Sequence, residues 1–384
     1  MNYRKDKYGN ELSALGFGCM RFEKKLGRIE FEKAEKQILT AVENGVNYFD
    51  TAFIYPGSES ALGEILEKNN LRDKVYIATK LPPQMMLNIA TLDRLFNEQL
   101  KRLRTDRIDY YFIHMLADIN AWNRIKSMGI EKWIEEKKQS GKIGQIGFSY
   151  HGDTDGYCKM IDAYNWDFSM IQYNYMDEHT QAGRRGLQYA HEKGITVMIM
   201  EPLRGGKLVK DLPEEAKKIF ADYKTKYTPA QWAFRWLWNQ KEITTVLSGM
   251  NSEEMVLDNI ATACAAKIGD LTAEDEEMLR RVGKAINASM KVGCTGCGYC
   301  MPCPKNIDIR SVFGMYNTYY SGKKFKAKSE YIKATVSKKT SAPASDCIAC
   351  GKCETHCPQS IEIRKEIKAA ANALEGKRYK LLKR

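Results

Sequence analysis

Apolar residues in the first two thirds of the chain form two alternating kinds of segment. Eight short β-prone runs lie at 12–18, 46–52, 75–81, 108–114, 143–150, 168–175, 196–203 and 243–250. Between them, apolar residues recur at three-to-four spacing over 31–44, 60–69, 92–103, 130–138, 187–193, 229–238 and 252–264. Continuously apolar runs predict buried parallel strands, and the wider spacing predicts amphipathic helices. Eight such units predict an α/β fold, a (β/α)8 TIM barrel.

The last third of the chain has a different pattern. Thr272 precedes three acidic residues within four positions, which is typical of a helix N-cap and predicts a linker helix over 271–292. The segment 309–320 is aromatic at helical spacing, and 364–374 predicts a basic helix. No alternation typical of a β-hairpin accompanies them. The predicted division is a barrel at 1–270, the linker helix, and a small, mainly helical domain at 293–384.

Eight of the eleven cysteines lie in this last domain, in two groups that each end before a proline. The groups are Cys294, Cys297, Cys300 and Cys303, then Cys347, Cys350, Cys353 and Cys357. The second has the spacing in which three thiolates bind one cubane iron-sulfur cluster and the fourth binds a neighbouring cluster. Two 4Fe-4S clusters are therefore predicted. If the dicluster pattern is followed, one cluster is held by Cys294, Cys297, Cys300 and Cys357, and the other by Cys303, Cys347, Cys350 and Cys353. The first group is one residue shorter before its last cysteine, which leaves the sharing of ligands open.

Disulfides and zinc are the alternatives for these cysteines. An odd cysteine count and the lack of a signal-like N-terminal segment favour a reducing compartment, the cytoplasm, over a disulfide framework. Zinc ribbons separate two C-x2-C pairs by about 15–20 residues. Here the four cysteines of the first group fall within ten residues, which favours iron-sulfur ligation. Cys19, Cys158 and Cys264 are expected to be small buried apolar residues.

The formal net charge of +12 lies almost entirely in the cysteine-rich domain. From Lys305 onward, 18 Lys and Arg face 7 Asp and Glu, whereas 42 face 41 before it. Oxidised cubanes with four thiolates carry negative charge and offset part of this surplus. The remainder is interpreted first as solvated surface and second as a surface for an acidic redox partner. No nucleic-acid-binding motif accompanies it, and no apolar run approaches the ~20 residues that span a bilayer.

Polar residues at the ends of three predicted strands form the candidate catalytic site, because barrel chemistry lies at the carboxyl ends of the strands. Asp50 and Tyr55 follow the second strand, Lys80 ends the third and His114 ends the fourth. An ammonium group beside a tyrosine lowers a phenol pKa that is about 10 in water. Tyr55 is thus a candidate proton donor to a carbonyl oxygen, with Asp50 holding Lys80 and His114 donating a hydrogen bond to that oxygen.

These residues resemble the catalytic tetrad of the aldo-keto reductases in the runs Asp-Thr-Ala-Phe-Ile-Tyr55, Ala-Thr-Lys80 and Tyr-Phe-Ile-His114. Runs at 15–18, 147–149, 171–173, 202–206 and 248–249, with Asn259, also fall where that family has its strand ends. The resemblance covers residues 1–265. The whole chain resembles the subgroup with a C-terminal ferredoxin-like 4Fe-4S dicluster domain. This implies reversible hydride transfer between a nicotinamide and a small carbonyl or alcohol substrate, with Tyr55 as general acid.

The resemblance also implies a set of cofactor contacts. Ser149 and Gln172 match positions that hold the nicotinamide carboxamide. Arg204, Gly205 and Gly206 match the loop around the pyrophosphate, where glycine lets the backbone approach phosphates. The other implied contacts are Met20, Met200, Ser248, Gly249, Asn251 and Asn259.

Four positions depart from the family pattern. Tyr150 stands where many members have Asn, and Met200 where an aromatic ring stacks on the nicotinamide, so both are expected at the reactive end of the cofactor. Gly249 and Met255 stand where NADPH-specific members have cations that grip the 2′-phosphate. NADH is therefore favoured over NADPH, while the side chains at 251–252 can hydrogen-bond a ribose or a phosphate.

Two kinds of electron chemistry are thus expected in one chain. A nicotinamide transfers two electrons as hydride, a cubane transfers one, and a flavin can do both. No flavin motif is visible, but a flavin stays open as a cofactor. Three roles for the clusters are open. They are structural, they conduct electrons to a flavin, or they dock a redox partner such as an acidic ferredoxin or flavodoxin. The alternative function is therefore an electron-transfer module. The substrate is not revealed by the sequence, because specificity in such barrels is set by the shape of the loops.

Overall fold

The computed structural model describes residues 1–210 and 212–383. It divides into two compact units, Met1–Pro202 with Ala230–Glu276, and Leu203–Pro229 with Glu277–Arg384. None of the described helices is long and apolar enough to cross a membrane.

Eight parallel strands close into a barrel in the first unit. They are β1 (Leu15–Gly18), β2 (Tyr48–Asp50), β3 (Tyr76–Leu81), β4 (Ile108–Leu116), β5 (Ile143–Tyr150), β6 (Phe168–Gln172), β7 (Thr196–Met200) and β8 (Thr245–Ser248). Each strand pairs with its sequence neighbours and β8 pairs with β1. The predicted TIM barrel is confirmed.

The first predicted strand contains two structural elements. Glu11–Ser13 pairs antiparallel with Tyr3–Lys5, and only β1 joins the barrel. Leu12 is nevertheless fully buried in the barrel core. Because Leu12 is buried like the barrel residues, the apolar run at 12–18 predicts one strand where the structure has two.

Ten helices follow the barrel strands along the described parts of the chain. They are α1 (Phe31–Glu43), α2 (Ser58–Lys68), α3 (Ile89–Leu103), α4 (Ile119–Lys126), α5 (Ile130–Gln139), α6 (Thr154–Asp162), α7 (Gly183–Glu192), α8 (Glu214–Asp222), α9 (Pro229–Trp238) and α10 (Glu253–Ala265). Of these, α8 belongs to the second compact unit. Side chains of Asn88, Asp118, Asp153 and Ser252 accept a backbone N–H in the first turns of α3, α4, α6 and α10. Such caps satisfy amide groups that a helix leaves unpaired at its start.

Aromatic rings fill the barrel interior. The ring of Phe168 lies 4.6 Å from that of Phe112 and 5.3 Å from that of Tyr110, both edge to face. The Tyr110 hydroxyl donates to Asp6 Oδ2 at 2.6 Å. This packing holds the strands rigidly, so the residues at their carboxyl ends have fixed positions.

The linker region contains α11 (Ala273–Ser289). The Thr272 hydroxyl accepts the amide of Asp275 at 3.2 Å, and the Asp275 carboxylate accepts the amide of Thr272 at 2.8 Å. This reciprocal cap is the feature that the sequence predicted at Thr272.

The second unit is mainly helical, as predicted. Its further helices are α12 (Ile309–Tyr320), α13 (Lys324–Ile332), α14 (Ile363–Leu374) and α15 (Lys377–Lys383). No strand occurs among its described residues at 203–210, 212–229 and 277–383. Its core contains Phe313, Tyr316, Tyr331 and Ile367, with six of the eight cysteines packed against it.

Two cysteine segments of this unit repeat in sequence and in backbone conformation. Residues 294–310 and 347–364 each run from four cysteines through a proline to Ile-acid-Ile-Arg. Three pairs of equivalent positions have positive φ: Gly296 (74°) and Ala349 (54°), Gly298 (89°) and Gly351 (78°), Asn306 (54°) and Ser360 (49°). Each segment leads into a helix of 12 residues, α12 or α14. The unit is therefore built on an internal repeat.

Candidate active site and cluster ligands

Lys80, near the end of β3, is almost fully buried and is paired with Asp50 at the end of β2. Its ammonium donates to Asp50 Oδ1 at 2.5 Å and to the Thr51 carbonyl oxygen at 2.7 Å. Burial raises the pKa of Asp50 and lowers the pKa of Lys80, and the ion pair opposes both shifts. Two consecutive residues at the end of the neighbouring strand β2 thus fix the ammonium group in one position.

Tyr55 and His114 lie beside this pair. Lys80 Nζ is 5.3 Å from the centre of the Tyr55 ring, and the Tyr55 and His114 ring centres are 6.1 Å apart. His114 is 3% exposed, and burial, followed by the charge of Lys80, lowers its pKa well below the usual value. The imidazole is therefore neutral near pH 7 and donates from one nitrogen. The structure brings all four predicted catalytic residues together.

A buried network behind Lys80 escaped the sequence interpretation. Glu59 Oε1 accepts from Thr79 Oγ1 at 2.7 Å and from Gln99 Nε2 at 2.8 Å, and Gln99 Oε1 accepts from Tyr111 at 2.8 Å. Thr79 precedes Lys80 in the strand, so its side chain points to the opposite face. The network anchors β3 to α2 and α3 and steadies the backbone that carries Lys80.

Most predicted cofactor contacts lie at the carboxyl ends of strands. Ser149 Oγ accepts the amide of Met115 at 2.8 Å. Gln172, at the end of β6, donates to Asp177 Oδ2 at 2.9 Å and accepts from Gln181 at 3.1 Å. The other members at strand ends are Met20 in the turn after β1, Met200 ending β7, Ser248 ending β8 with Asn259 Nδ2 donating to its hydroxyl at 3.0 Å, and Asn251 just before α10.

Arg204, Gly205 and Gly206 form a short helical turn that is part of the second compact unit. Gly205 has φ 65° and Gly206 has φ 91°, values that favour glycine. Their role around a pyrophosphate stays a prediction.

Tyr150 does not take the direction that its sequence position suggested. Its hydroxyl donates to the Asp153 carbonyl oxygen at 2.9 Å, and its ring packs 5.2 Å from that of Tyr157 in α6. His151 instead lies near the site: Nδ1 is 3.2 Å from Gln181 Oε1, and its charged form lowers the pKa of His114. Burial lowers the pKa of His151 to about 4. The resemblance pointed to residue 150, so His151 was missed.

Arg21 packs across Gly249. A β-carbon at Gly249 would lie 2.4 Å from Arg21 Cγ, so no larger residue fits without displacing Arg21. The exposed Arg21 ends the turn after β1. The loop after β1 thus brings the cation of Arg21 beside position 249, where the residue is an uncharged glycine. Nothing in the linear sequence signals this contact.

Two cavities in the second unit are lined by the eight predicted ligands. Cys294, Cys297, Cys300 and Cys357 line the first, which we call cavity A. Cys303, Cys347, Cys350 and Cys353 line the second, cavity B, of about 160 Å³, together with Cys300. Each cavity therefore joins three cysteines of one repeat to the last cysteine of the other.

The chemistry of both cavities suits a cubane cluster. Burial, followed by the neighbouring thiols of Cys297, Cys294 and Cys357, raises the pKa of Cys300 to about 12. Bound iron would remove this penalty because it holds its cysteine ligands as thiolates. The Gly296 amide donates to Cys294 Sγ at 3.4 Å, the kind of bond that tunes a cluster.

The three remaining cysteines differ in exposure. Cys19 is buried and Cys158 is half-buried. Cys264, near the end of α10, is exposed, so the expectation of a buried apolar residue is wrong there.

Sequence comparison places this site in a known family. Residues 14–283 match the aldo/keto reductase family, and residues 293–362 match a 4Fe-4S dicluster domain. The chain belongs to the aldo/keto reductase family. The predicted family, its appended 4Fe-4S domain and the oxidoreductase class are thereby confirmed.

Relatives and solved structures agree with this assignment. An aldo-keto reductase of Mycolicibacterium paratuberculosis is 26% identical over 261 residues, covering 66% of this chain and 82% of the relative. L-galactose dehydrogenase of Arabidopsis thaliana is 25% identical over 280 residues, with 66% and 85% covered. The holo form of a Bacillus halodurans aldo-keto reductase has a TM-score of 0.62 at 26% identity, covering 74% of this chain and 97% of that one. A Klebsiella pneumoniae aldo-keto reductase in complex with NADPH has a TM-score of 0.58 at 20% identity, covering 73% and 95%, and shows the shared fold alone.

Proposed function

We propose that this protein reduces an aldehyde or ketone to an alcohol, or catalyses the reverse, with Tyr55 as the general acid. The convergence of Asp50, Tyr55, Lys80 and His114 at one end of the barrel carries this proposal. A bound nicotinamide supplies the hydride to the carbonyl carbon. Tyr55 supplies the proton to the carbonyl oxygen, and His114, neutral in its buried position, donates a hydrogen bond to the same oxygen.

Lys80 is the residue that sets the acidity of Tyr55 in this mechanism. We expect Lys80→Met to slow carbonyl reduction and to move the basic limb of the kcat/KM pH profile to higher pH, because loss of the cation raises the pKa of the phenol. The profile is measured between pH 5 and 10. The Asp50→Asn/Lys80→Met variant is the control for folding. The single variant leaves the buried Asp50 carboxylate without its cationic partner, and the double variant removes that carboxylate. An unshifted limb in a folded variant would contradict the role of Lys80.

NADH is the favoured cofactor in this proposal. Gly249 and Met255 offer no charge to a 2′-phosphate, and Ser149 and Gln172 are the residues proposed to hold the carboxamide. The match to the aldo/keto reductase family over residues 14–283 supports a nicotinamide cofactor in this barrel. Arg21 is the cation that we expect to let NADPH bind as well.

Removal of Arg21 separates the two cofactors. We expect Arg21→Ala to weaken NADPH binding by about tenfold, the loss of one charge-assisted hydrogen bond, and to leave NADH within about twofold. Calorimetric titration of both cofactors measures the effect. Arg28→Ala is the matched control, because Arg28 is also exposed but lies in a hairpin strand. Equal weakening of both cofactors would refute the assignment.

We further propose two 4Fe-4S clusters with shared ligands, one in each cavity, in a chain divided at 1–270, 271–292 and 293–384. The composition of the two cysteine sets supports the sharing. Cavity A would take Cys294, Cys297, Cys300 and Cys357, and cavity B would take Cys303, Cys347, Cys350 and Cys353.

The alternative function is an electron-transfer module or flavin-linked reductase that exchanges single electrons with an acidic ferredoxin or flavodoxin. The cluster cavities and the basic charge of this domain favour it. The absorbance spectrum of anaerobically purified protein shows whether clusters or flavin are bound. NADH oxidation with a panel of aldehydes and ketones, with and without a one-electron acceptor, separates the two functions: acceptor-independent turnover supports the reductase, and strict acceptor dependence supports the module.

A further inference from the structure

Cavity B has more positive charge in its lining than cavity A. Lys305, Lys352 and Arg364 line cavity B, whereas Arg310 lines cavity A. Arg364 is paired with Glu354 at 2.7 Å and Arg310 with Asp308 at 3.4 Å. Lys305 and Lys352 are exposed, and neither forms an ion pair with any residue in the described parts of the chain. Two uncompensated cations therefore border cavity B.

Cavity B also contains the most exposed of the eight cysteines. Cys350 is exposed, while the four cysteines of cavity A are all partly buried. Ile348, which precedes it by two residues in the same loop, is an apolar side chain with 57% of its surface exposed. An apolar centre bordered by polar and charged groups is the usual composition of a protein interface. We call the surface formed by Lys305, Ile348, Cys350 and Lys352 the cavity B face.

We propose that the cavity B face docks an acidic one-electron carrier protein, which delivers its electron to the cluster of cavity B first. This inference rests on the proposed pair of clusters. One electron leaves the reduced centre of the carrier and converts the oxidised cluster to its reduced form, and no bond is made or broken. The two lysines attract the acidic carrier and stabilise the cluster as it becomes more negative.

The position of Cys300 gives this electron an onward route. Cys300 lines both cavities, so the two clusters would be neighbours within the domain. The cysteines of cavity A are all partly buried and its arginine is paired with Asp308. A cluster there would be suited to receive electrons from its neighbour, and a cluster in cavity B, beside the exposed Cys350, would be suited to meet the external carrier.

Charge reversal on this face tests the proposal. The Lys305→Glu/Lys352→Glu variant is compared with Lys338→Glu/Lys339→Glu, which changes the net charge equally at exposed lysines that line neither cavity. Stopped-flow absorbance follows cluster reduction in the full chain by a dithionite-reduced acidic ferredoxin, at low and high salt. A parallel series uses dithionite alone, and the reduction potentials are measured by EPR-monitored titration.

We expect the cavity B face variant to slow reduction by the ferredoxin at least about tenfold at low salt, with the deficit shrinking as salt screens the attraction. The control variant should stay within about twofold of the wild type. An equal loss in both variants, or an equal loss with dithionite alone, would overturn the docking face while leaving the clusters in place. Failure of the ferredoxin to reduce wild-type clusters would instead reject the electron-transfer alternative, and absence of iron would reject the clusters.

Discussion

Tyr55→Phe is expected to lower kcat/KM for carbonyl reduction by about 100-fold or more, the usual contribution of a positioned proton donor. The substitution removes one hydroxyl and keeps the ring that faces Lys80 and His114. The loss should appear in kcat as well as in kcat/KM, because the proton is transferred only in the transition state. Cofactor affinity should stay close to that of the wild type.

Tyr164→Phe is the matched control for this variant. Tyr164 lies between α6 and β6, at the end of the barrel opposite the catalytic residues, where its ring packs against Trp122 and Trp166. We expect this variant to keep full activity. Full turnover by Tyr55→Phe with any substrate found would exclude Tyr55 as the general acid.

The second large effect concerns the cysteines. We expect Cys303→Ala to remove the cluster of cavity B, so that iron and sulfide fall from about eight of each per chain to about four. The physical reason is that Cys303 lines cavity B with Cys347, Cys350 and Cys353. Three thiolates hold a cubane less well than four, and one ligand position then opens to solvent.

Double variants distinguish shared from unshared ligation. Cys303→Ala/Cys350→Ala should lose no more iron than Cys303→Ala alone, because both residues serve one cluster. Cys303→Ala/Cys297→Ala should lose iron from both cavities. If the second pair keeps half of the iron, each motif closes its own cluster and the sharing is wrong. Zinc in place of iron would end the cluster hypothesis altogether.

The fold was predictable because its signals are local and regular. Buried parallel strands are continuously apolar, and their helices carry a three-to-four repeat, so β1 to β8 could be placed from the chain alone. The error at Leu12 arose where a hairpin strand is buried against the barrel bottom, since burial does not report which strand is the partner. The spacing of the cysteines predicts the cluster ligands. The matching Ile-acid-Ile-Arg segments that follow both cysteine groups are a further sequence signal of the internal repeat.

The catalytic residues were predictable for the same reason, since each follows a recognisable strand. Contacts between distant loops were not. Arg21 reaches Gly249 where β8 pairs with β1 to close the barrel, and His151 comes near His114 where β5 pairs with β4. The linear order of residues encodes neither contact. The exchange of Cys303 and Cys357 between the two cysteine groups, by contrast, is what the dicluster spacing predicts, and the linings of cavities A and B have that composition.

Transfer of deuterium from [4-²H]NADH to the product alcohol tests the central claim most directly. The account predicts that the label appears on the former carbonyl carbon of an aldehyde or ketone, detected by NMR, without any one-electron acceptor. The rate should drop in Tyr55→Phe. NADH oxidation that leaves no label in an alcohol and requires a one-electron acceptor would contradict hydride transfer to a carbonyl and assign the chain to electron transfer.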